Sequence, residues 1–436
     1  MAHEALLYNL GQVRFKKGGG DPATTDALLV YGVPDVDPQT EVLDDPTYTP
    51  QGDALPSAIG RDNPAISLGV VRAQEFTVPS ADDATRPNWG DIAECCGYKT
   101  AVHSDQTTVT DEATGQKGDG TVTRFVFLTN FAGLQAGEDI VVKAGAQAIT
   151  IAGADDAVTG DGTVSQFDRA SGFLDVSFTA APAADVAITV SYKSGYVLRY
   201  DRSNSGKGGS SASVEVTREH DSQTVEDVRR ANGFRGNMPL AISQAGNLEY
   251  SPTGSGTVAD EGERAVSDPV YPEETANLVW DDTCTVVAFT VEADGANVQK
   301  YVGQVPTFAL DPGFTFQRPE GGVTPGYSAE AELLPASPQL TIDWFALAAD
   351  DFNLQSLLKN KKQLNVRIVV PGVTSPKNLK VFTQRGQITA PGSASAGFGG
   401  KEQRSTGLKC LTMGNEVSPP VSATAPRQRI DAITLP

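Results

Sequence analysis

The sequence predicts a mainly β protein of more than one domain, and three observations carry that reading. Glycine (44) and proline (27) are abundant in the 436 residues, and valine and threonine recur in short alternating runs, the pattern of many short strands joined by turns. The length exceeds what one core organises, since roughly 100 to 200 residues per domain gives two to four domains. No stretch approaches the roughly 20 consecutive apolar residues of a membrane helix. Residues 1–17 lack the basic flank, apolar block and cleavage site of a secretion signal, so folding in the cytosol is the expectation.

A first domain is expected over residues 1–113 and 196–265. It opens on a strand at Gln12-Val13-Arg14-Phe15 and breaks at Gly18-Gly19-Gly20. Residues 35–63 are rich in proline and acid and have no periodicity, which marks a long loop, and loops of that length need a function. A short helix follows. Asn88 stands where a cap belongs, Trp89, Ile92, Ala93 and Cys96 fall at i, i+3, i+4 and i+7, and Gly97 suits the left-handed terminator. After residue 195 come a strand from Tyr196, a hairpin over 212–217 and 224–230, an Arg235-Gly236-Asn237 turn leading into the next strand, a turn at 244–247 and a strand at Leu248-Glu249-Tyr250. Residues 251–272 read as a linker.

Residues 114–195 differ in texture. Gly118-Asp119-Gly120-Thr121-Val122 is echoed by Gly160-Asp161-Gly162-Thr163-Val164, and alternating runs follow, so a β-sandwich of about 80 residues is inserted here, a size at which small domains fold alone. The Gly-Asp-Gly steps lack the spaced ligands of a calcium loop and suit hairpin turns. Surface loops accept insertions cheaply, so deleting 114–195 is expected to leave the rest intact.

Residues 266–436 form the expected second domain. Strands are read over 285–291, 308–316 (broken at Asp311-Pro312-Gly313), 329–334, 363–370, 379–384 and 405–413. A helix is expected from Asp343, with Trp344, Leu347 and Ala348 matching the spacing of the first. Arg385-Gly386 parallels Arg235-Gly236 as a turn leading into a strand. Strands, Trp-bearing helix, hairpin and Arg-Gly step recur in both halves, which implies an internal duplication.

Catalytic chemistry has few carriers. His3, His103 and His220 share no metal-binding spacing, and Cys95, Cys96, Cys284 and Cys410 form no CxxC pair, so neither metal nor cofactor is expected and buried reduced thiols are. Ser205-Gly206-Lys207-Gly208 lacks the hydroxyl residue and strand-to-helix frame of a phosphate loop. The pairs Asp44-Asp45, Asp281-Asp282 and Asp350-Asp351 are read as solvated faces and not as glycosidase carboxylates. A net charge of -20 argues against gripping nucleic acid, because that affinity comes from Lys and Arg releasing counterions. The basic stretches at 14–17 and 359–362 are expected to pair with a neighbouring subunit's carboxylates.

The helix ending Glu94-Cys95-Cys96-Gly97-Tyr98, the Arg235-Gly236-Asn237 step, the turn at 243–246 and Leu248-Glu249-Tyr250-Ser251-Pro252, taken in that order, resemble siphophage tail tube (major tail) proteins. The resemblance implies tube-type β-sandwich or barrel domains, each flanked by one helix, that join into rings around a lumen. It implies that a long loop stacks successive rings, here the one bearing Asp44, Asp45, Tyr48 and Asp53, with residues 311–326 as its counterpart. The insert is similar to immunoglobulin-like decorations on such tubes and is expected to project outward. Two tube domains per chain imply three chains per ring in place of six. The implied partners are further copies of the chain, a tape-measure protein in the lumen, tail terminator and distal tail proteins, and DNA in transit without specific binding; no membrane is involved. The implied location is the virion, after assembly in the host cytoplasm, and the implied role is structural and not enzymatic. The alternative is an adhesin that binds carbohydrate through the inserted sandwich.

Overall fold

The computed structural model describes residues 6–37, 40–43, 58–62, 65–76, 86–103, 108–202, 210–220, 224–271, 275–292, 297–317, 332–335, 337–345, 352–396, 402–411 and 428–435. Along the chain, β1 (Leu6–Lys17), β2 (Ala27–Leu28), β3 (Asp35–Asp37), β4 (Thr40–Leu43), β5 (Ala58–Asp62), β6 (Ala65–Ser67) and β7 (Val71–Arg72) lead to helix α1 (Gly90–Cys95) and β8 (Tyr98–His103). The insert holds β9 (Thr108–Lys117), β10 (Arg124–Leu128), β11 (Ile140–Ala144), β12 (Gln147–Ile151), β13 (Val158–Gly160), β14 (Gly162–Asp168), β15 (Phe173–Phe178) and β16 (Ala187–Lys193). Then come β17 (Tyr196–Arg202), β18 (Ala212–His220), β19 (Val225–Asn237), β20 (Leu240–Ile242), β21 (Leu248–Tyr250), β22 (Thr253–Ala265), β23 (Thr285–Thr290), β24 (Lys300–Gly303), β25 (Thr307–Asp311), β26 (Phe314–Gln317), β27 (Glu332–Pro335) and β28 (Gln339–Phe345). Helix α2 (Leu354–Lys359) precedes β29 (Gln363–Pro371), β30 (Asn378–Ala396), β31 (Glu402–Leu411) and β32 (Gln428–Thr434). The fold is mainly β, as the composition predicts.

The long strand β30 organises the molecule. Residues 378–384 pair with β32 and residues 385–396 with β31, while β29 runs along the other edge. Two sheets therefore diverge from it, β24-β23-β29-β30-β32-β17-β8 and β30-β31-β28-β25-β20-β21-β7. Their facing sides enclose one core, in which Phe308 of the second sheet lies 5.7 Å from Phe382 of the first. A further sheet, β2-β1-β18-β19-β22-β6-β3, adds Val13, Val214, Val216 and Phe234 to that core. Strands β7, β8, β17, β20 and β21 thus share a sheet with residues beyond 266, and the boundary placed at 265/266 does not separate two hydrogen-bonded units.

The two halves nevertheless share a motif. Helix α1 runs into β8, which pairs with β17; helix α2 runs into β29, which pairs with β30. Both helices have six residues, and in both the second residue past the end is left-handed, Gly97 at φ 82° and Lys361 at φ 51°. Strand β32 lies between β17 and β30 and joins the two hairpins edge to edge. The insert occupies the β8–β17 connection, where residues 372–377 close the β29–β30 hairpin. Its strands start at Thr108 and end at Lys193, two residues that pair with each other.

Several expectations are corrected. Trp344 lies on a strand: Leu340, Ile342 and Trp344 are buried while Gln339 and Thr341 are exposed, a period of two that overrides the helical spacing read from Asp343. The helix of this half starts later, capped by Asn353, whose side chain accepts from the Ser356 amide. Leu347 lies outside the described residues. Asn88 does not cap α1; its side chain donates to Arg72 O (2.7 Å) and so fastens β7. Arg385 and Gly386 are not in a turn but inside β30, and Arg235, Gly236 and Asn237 are the last residues of β19, paired with β22. Residues 253–265, read as linker, form β22, whose polar residues are held by cross-strand ion pairs such as Arg264–Glu226 (2.5 Å). The 35–63 segment carries three strands where a loop was expected, β4 and β5 forming a separate ribbon.

Candidate functional surfaces

Helix α1 seats the first hairpin. Trp89, Ile92, Ala93 and Cys96 are all buried, and Trp89 packs against Tyr200 (4.7 Å) and Tyr250 (5.7 Å). Glu94 accepts from Lys17, Arg86 and Thr100; burial alone would raise its pKa, and these partners outweigh burial and lower it. The basic stretch at 14–17 is therefore paired within the chain, Lys17 with Glu94 and Arg14 with Glu215 (3.2 Å), and Lys362 pairs with Glu292 (2.7 Å). Arg14, Lys17 and Lys362 are thus already satisfied inside the chain and are not the members of these stretches left for a neighbouring subunit. On the other half, Trp344 donates to Thr406 Oγ1 (2.6 Å) and packs against Tyr301 and Phe352, each with ring centroids 5.1 Å away. Asn237 donates to Asp311 (2.7 Å) and Arg202 to Pro312 O (2.6 Å), so the Asp311-Pro312-Gly313 corner is clamped to the first half.

Two kinds of strand are left with an open side among the described residues. The first is the rim of the seven-stranded sheet: among the described strands, β8 pairs only with β17 and β24 only with β23. Lys99 and Ala101 on β8 are exposed. An uncovered edge offers a row of N–H and C=O groups to another chain. The second is a pair of two-stranded ribbons, β4–β5 and β26–β27, which pair with no other described strand. Residues 44–57 and 318–331 connect them; Asp44, Asp45, Tyr48 and Asp53 fall in the first connection and lie outside the described residues.

The insert is a sandwich of sheets β10-β15-β14 and β13-β12-β11-β16-β9, and it is docked instead of projecting on its linkers. The side of β29-β30-β32-β17 turned from the main core carries Val369, Val381, Leu379, Ile433 and Val197, which are buried in one cluster with insert residues such as Phe131 and Leu134. Alongside, Val287 and Phe289 of β23 pack on Val126, Leu128 and Phe173. Polar groups fix the register. Arg367, fully buried, donates to Ser171 O (2.5 Å), Thr129 O (2.8 Å) and Thr383 Oγ1 (3.1 Å). Burial pushes its pKa down to about 10, so it remains a cation at neutral pH and the carbonyls bear its charge. Arg199 forms a two-pronged pair with Asp431 (2.9 and 3.0 Å) and donates to Asn130 O (2.9 Å). Asp175 accepts from both Arg124 (2.7 Å) and Lys300 (2.6 Å).

Sequence reasoning missed these docking residues. The available signal was an ionisable residue within an apolar run, Arg367 in Asn365-Val366-Arg367-Ile368-Val369 and Asp431 in Ile430-Asp431-Ala432. A strand buried on both faces must account for such a charge, and an external partner is one way to do so.

Cys95, Cys96 and Cys284 are buried free thiols with pKa values raised by burial, which keeps them in the unreactive protonated form. The Asp119 carboxylate is occupied by the Thr121 and Val122 amides (2.7 Å each), as in a side-chain-closed turn. No group of three or more His, Cys, Asp or Glu side chains placed to hold a metal occurs among the described residues. Compared with known proteins, the chain matches no family model and no curated sequence.

Proposed function

We propose that the chain is a structural subunit that self-assembles into stacked rings, forming the tail tube of a long-tailed bacteriophage through which the genome passes. The observation that carries this reading is the repeated helix-and-hairpin motif joined through β32 within one sheet. Such a chain makes within itself the edge-to-edge union that a ring makes between subunits, and the rims at β8 and β24 remain for its neighbours. With two units per chain, three chains complete a ring of six. The ribbons β4–β5 and β26–β27, one in each half, are suited to reaching the adjacent ring. A tape-measure protein occupies the lumen during assembly, terminator and distal tail proteins close the ends, and the acidic chain lets DNA pass without holding it.

The test is assembly of purified protein, followed by sedimentation velocity and negative-stain microscopy, alone and with a tail initiator complex. Rings of three chains stacking into tubes are expected. A chain that stays monomeric at high concentration under both conditions contradicts the proposal.

A further inference from the structure

Strand β19 carries the one Asn-Gly step of the sequence, Asn232-Gly233, and there it departs from both neighbouring strands. On the β18 side, Ala231 pairs with Val214 and Phe234 with Ala212, so Asn232 and Gly233 together face the single residue Ser213. On the β22 side, Asn232 pairs with Thr257 and Arg235 with Ser255, so Gly233 and Phe234 together face Gly256. Gly233 is thus the extra residue of a bulge in both ladders, paired in neither, with a left-handed φ of 70°. Asn232 is exposed, although Phe234 beside it is buried.

Two neighbours prepare this step for reaction. Ser213 Oγ donates to Asn232 Oδ1 (2.7 Å), which holds the amide in place and draws electrons from its carbon. Gly256 leaves the other side open, since a Cβ there would lie 2.7 Å from Asn232 O. Glycine at position 233 likewise adds no side chain to obstruct attack on the Asn232 amide by the following backbone nitrogen.

We propose that Asn232 is a site of self-modification, in which the Gly233 amide nitrogen closes on Asn232 Cγ and ammonia is released. The nitrogen loses its proton as the N–Cγ bond forms, and the carbonyl electron pair moves onto Oδ1, where the Ser213 hydroxyl stabilises it. Collapse of that centre breaks the Cγ–Nδ2 bond; Nδ2 takes up the proton and leaves into solvent as ammonia. Water then opens the cyclic imide at either carbonyl, giving an aspartyl or an isoaspartyl residue at position 232, with no oxidant or reductant involved. Either product adds a negative charge to β19. The isoaspartyl form also lengthens its backbone next to Phe234, which packs on Phe15 (5.8 Å). The site lies within one chain and does not depend on the assembly reading.

The experiment is incubation of the full chain at mildly alkaline pH, followed by peptide mapping with mass spectrometry and enzymatic methylation of isoaspartyl groups. Conversion at position 232 is expected to run several-fold faster in the native protein than in the urea-unfolded chain, because only the fold supplies Ser213. Ser213→Ala should slow the native rate about 10-fold or more, the loss of one hydrogen bond to a developing anion. A native rate no higher than the unfolded one, or an unchanged rate in folded Ser213→Ala, overturns the proposal. If Ser213→Ala does not fold, the comparison of native with unfolded wild type decides alone.

Discussion

Gly97 and Lys361 occupy the same left-handed position after their helices but tolerate change differently. A Cβ on Gly97 would overlap the Phe314 ring and adopt a disfavoured φ, so Gly97→Ala should cost about 3 kcal/mol in denaturant unfolding. At Lys361 the left-handed strain that glycine would relieve roughly balances the entropy it would lose, so Lys361→Gly should change stability by no more than about 0.5 kcal/mol. Equal losses at both positions would contradict this reading of the two helix ends. Arg367→Met removes a cation that serves two insert carbonyls and leaves them buried without donors, a loss of about 3 kcal/mol readable in the same assay. Asp175 supplies the pH dependence. Burial would raise its pKa, but hydrogen bonds and charge from Arg124 and Lys300 prevail, and the folded-state pKa lies below the unfolded one. Its contribution is therefore complete above the unfolded pKa, near 4, and is lost as pH falls through the folded value. Asp175→Asn should lower stability at pH 7 and flatten the acid side of the stability profile; an unchanged acid limb would show that the pair carries no linkage.

At the scale of elements, the insert departs most from its sequence expectation. Its strands were legible, because alternation and Asp-Gly turns act locally. Its docking was not, because the apolar surface it covers belongs to β17, β29, β30 and β32, which converge only in three dimensions. The same limit applies to Trp344. Its helical spacing to Leu347 and Ala348 competes with alternation on its other side, and pairing of β28 with β25 and β31 favours the strand. Helix α1 was legible because burial, length and a terminating glycine coincide in one short segment. Docking changes the expected result of a deletion. Removing residues 108–193 bares Val369, Val381, Leu379, Ile433, Val197 and Phe289, and at about 1.5 to 3 kcal/mol per large side chain the lost burial is on the order of 10 kcal/mol, comparable to the stability of a whole domain. The deleted chain should aggregate or bind a hydrophobic dye on expression; a monomeric, cooperatively folding product would return the insert to the status of a detachable decoration. Shortening residues 44–57 bears on the ribbons instead, and should allow single rings while preventing their stacking, as judged by microscopy.

At the scale of the molecule, one chain contains two helix-and-hairpin units held together by β32, by the shared strand β30 and by the corner at Asp311-Pro312-Gly313. The sheet that joins them is covered on one face by the insert and on the other by the main core, and among the described strands its rims, β8 and β24, pair on one side only. Seven antiparallel strands place β24 and β8 in the same direction, so a rotation that brings the β8 rim of one copy to the β24 rim of the next pairs them parallel, and repetition of that step can close a ring. A helical cryo-EM reconstruction of the assembled protein tests this most directly. The expected result is three chains per ring, with the insert on the outside and β8 of each chain beside β24 of its neighbour. A ring of six chains, or a protein that forms no ring under any assembly condition, would contradict it.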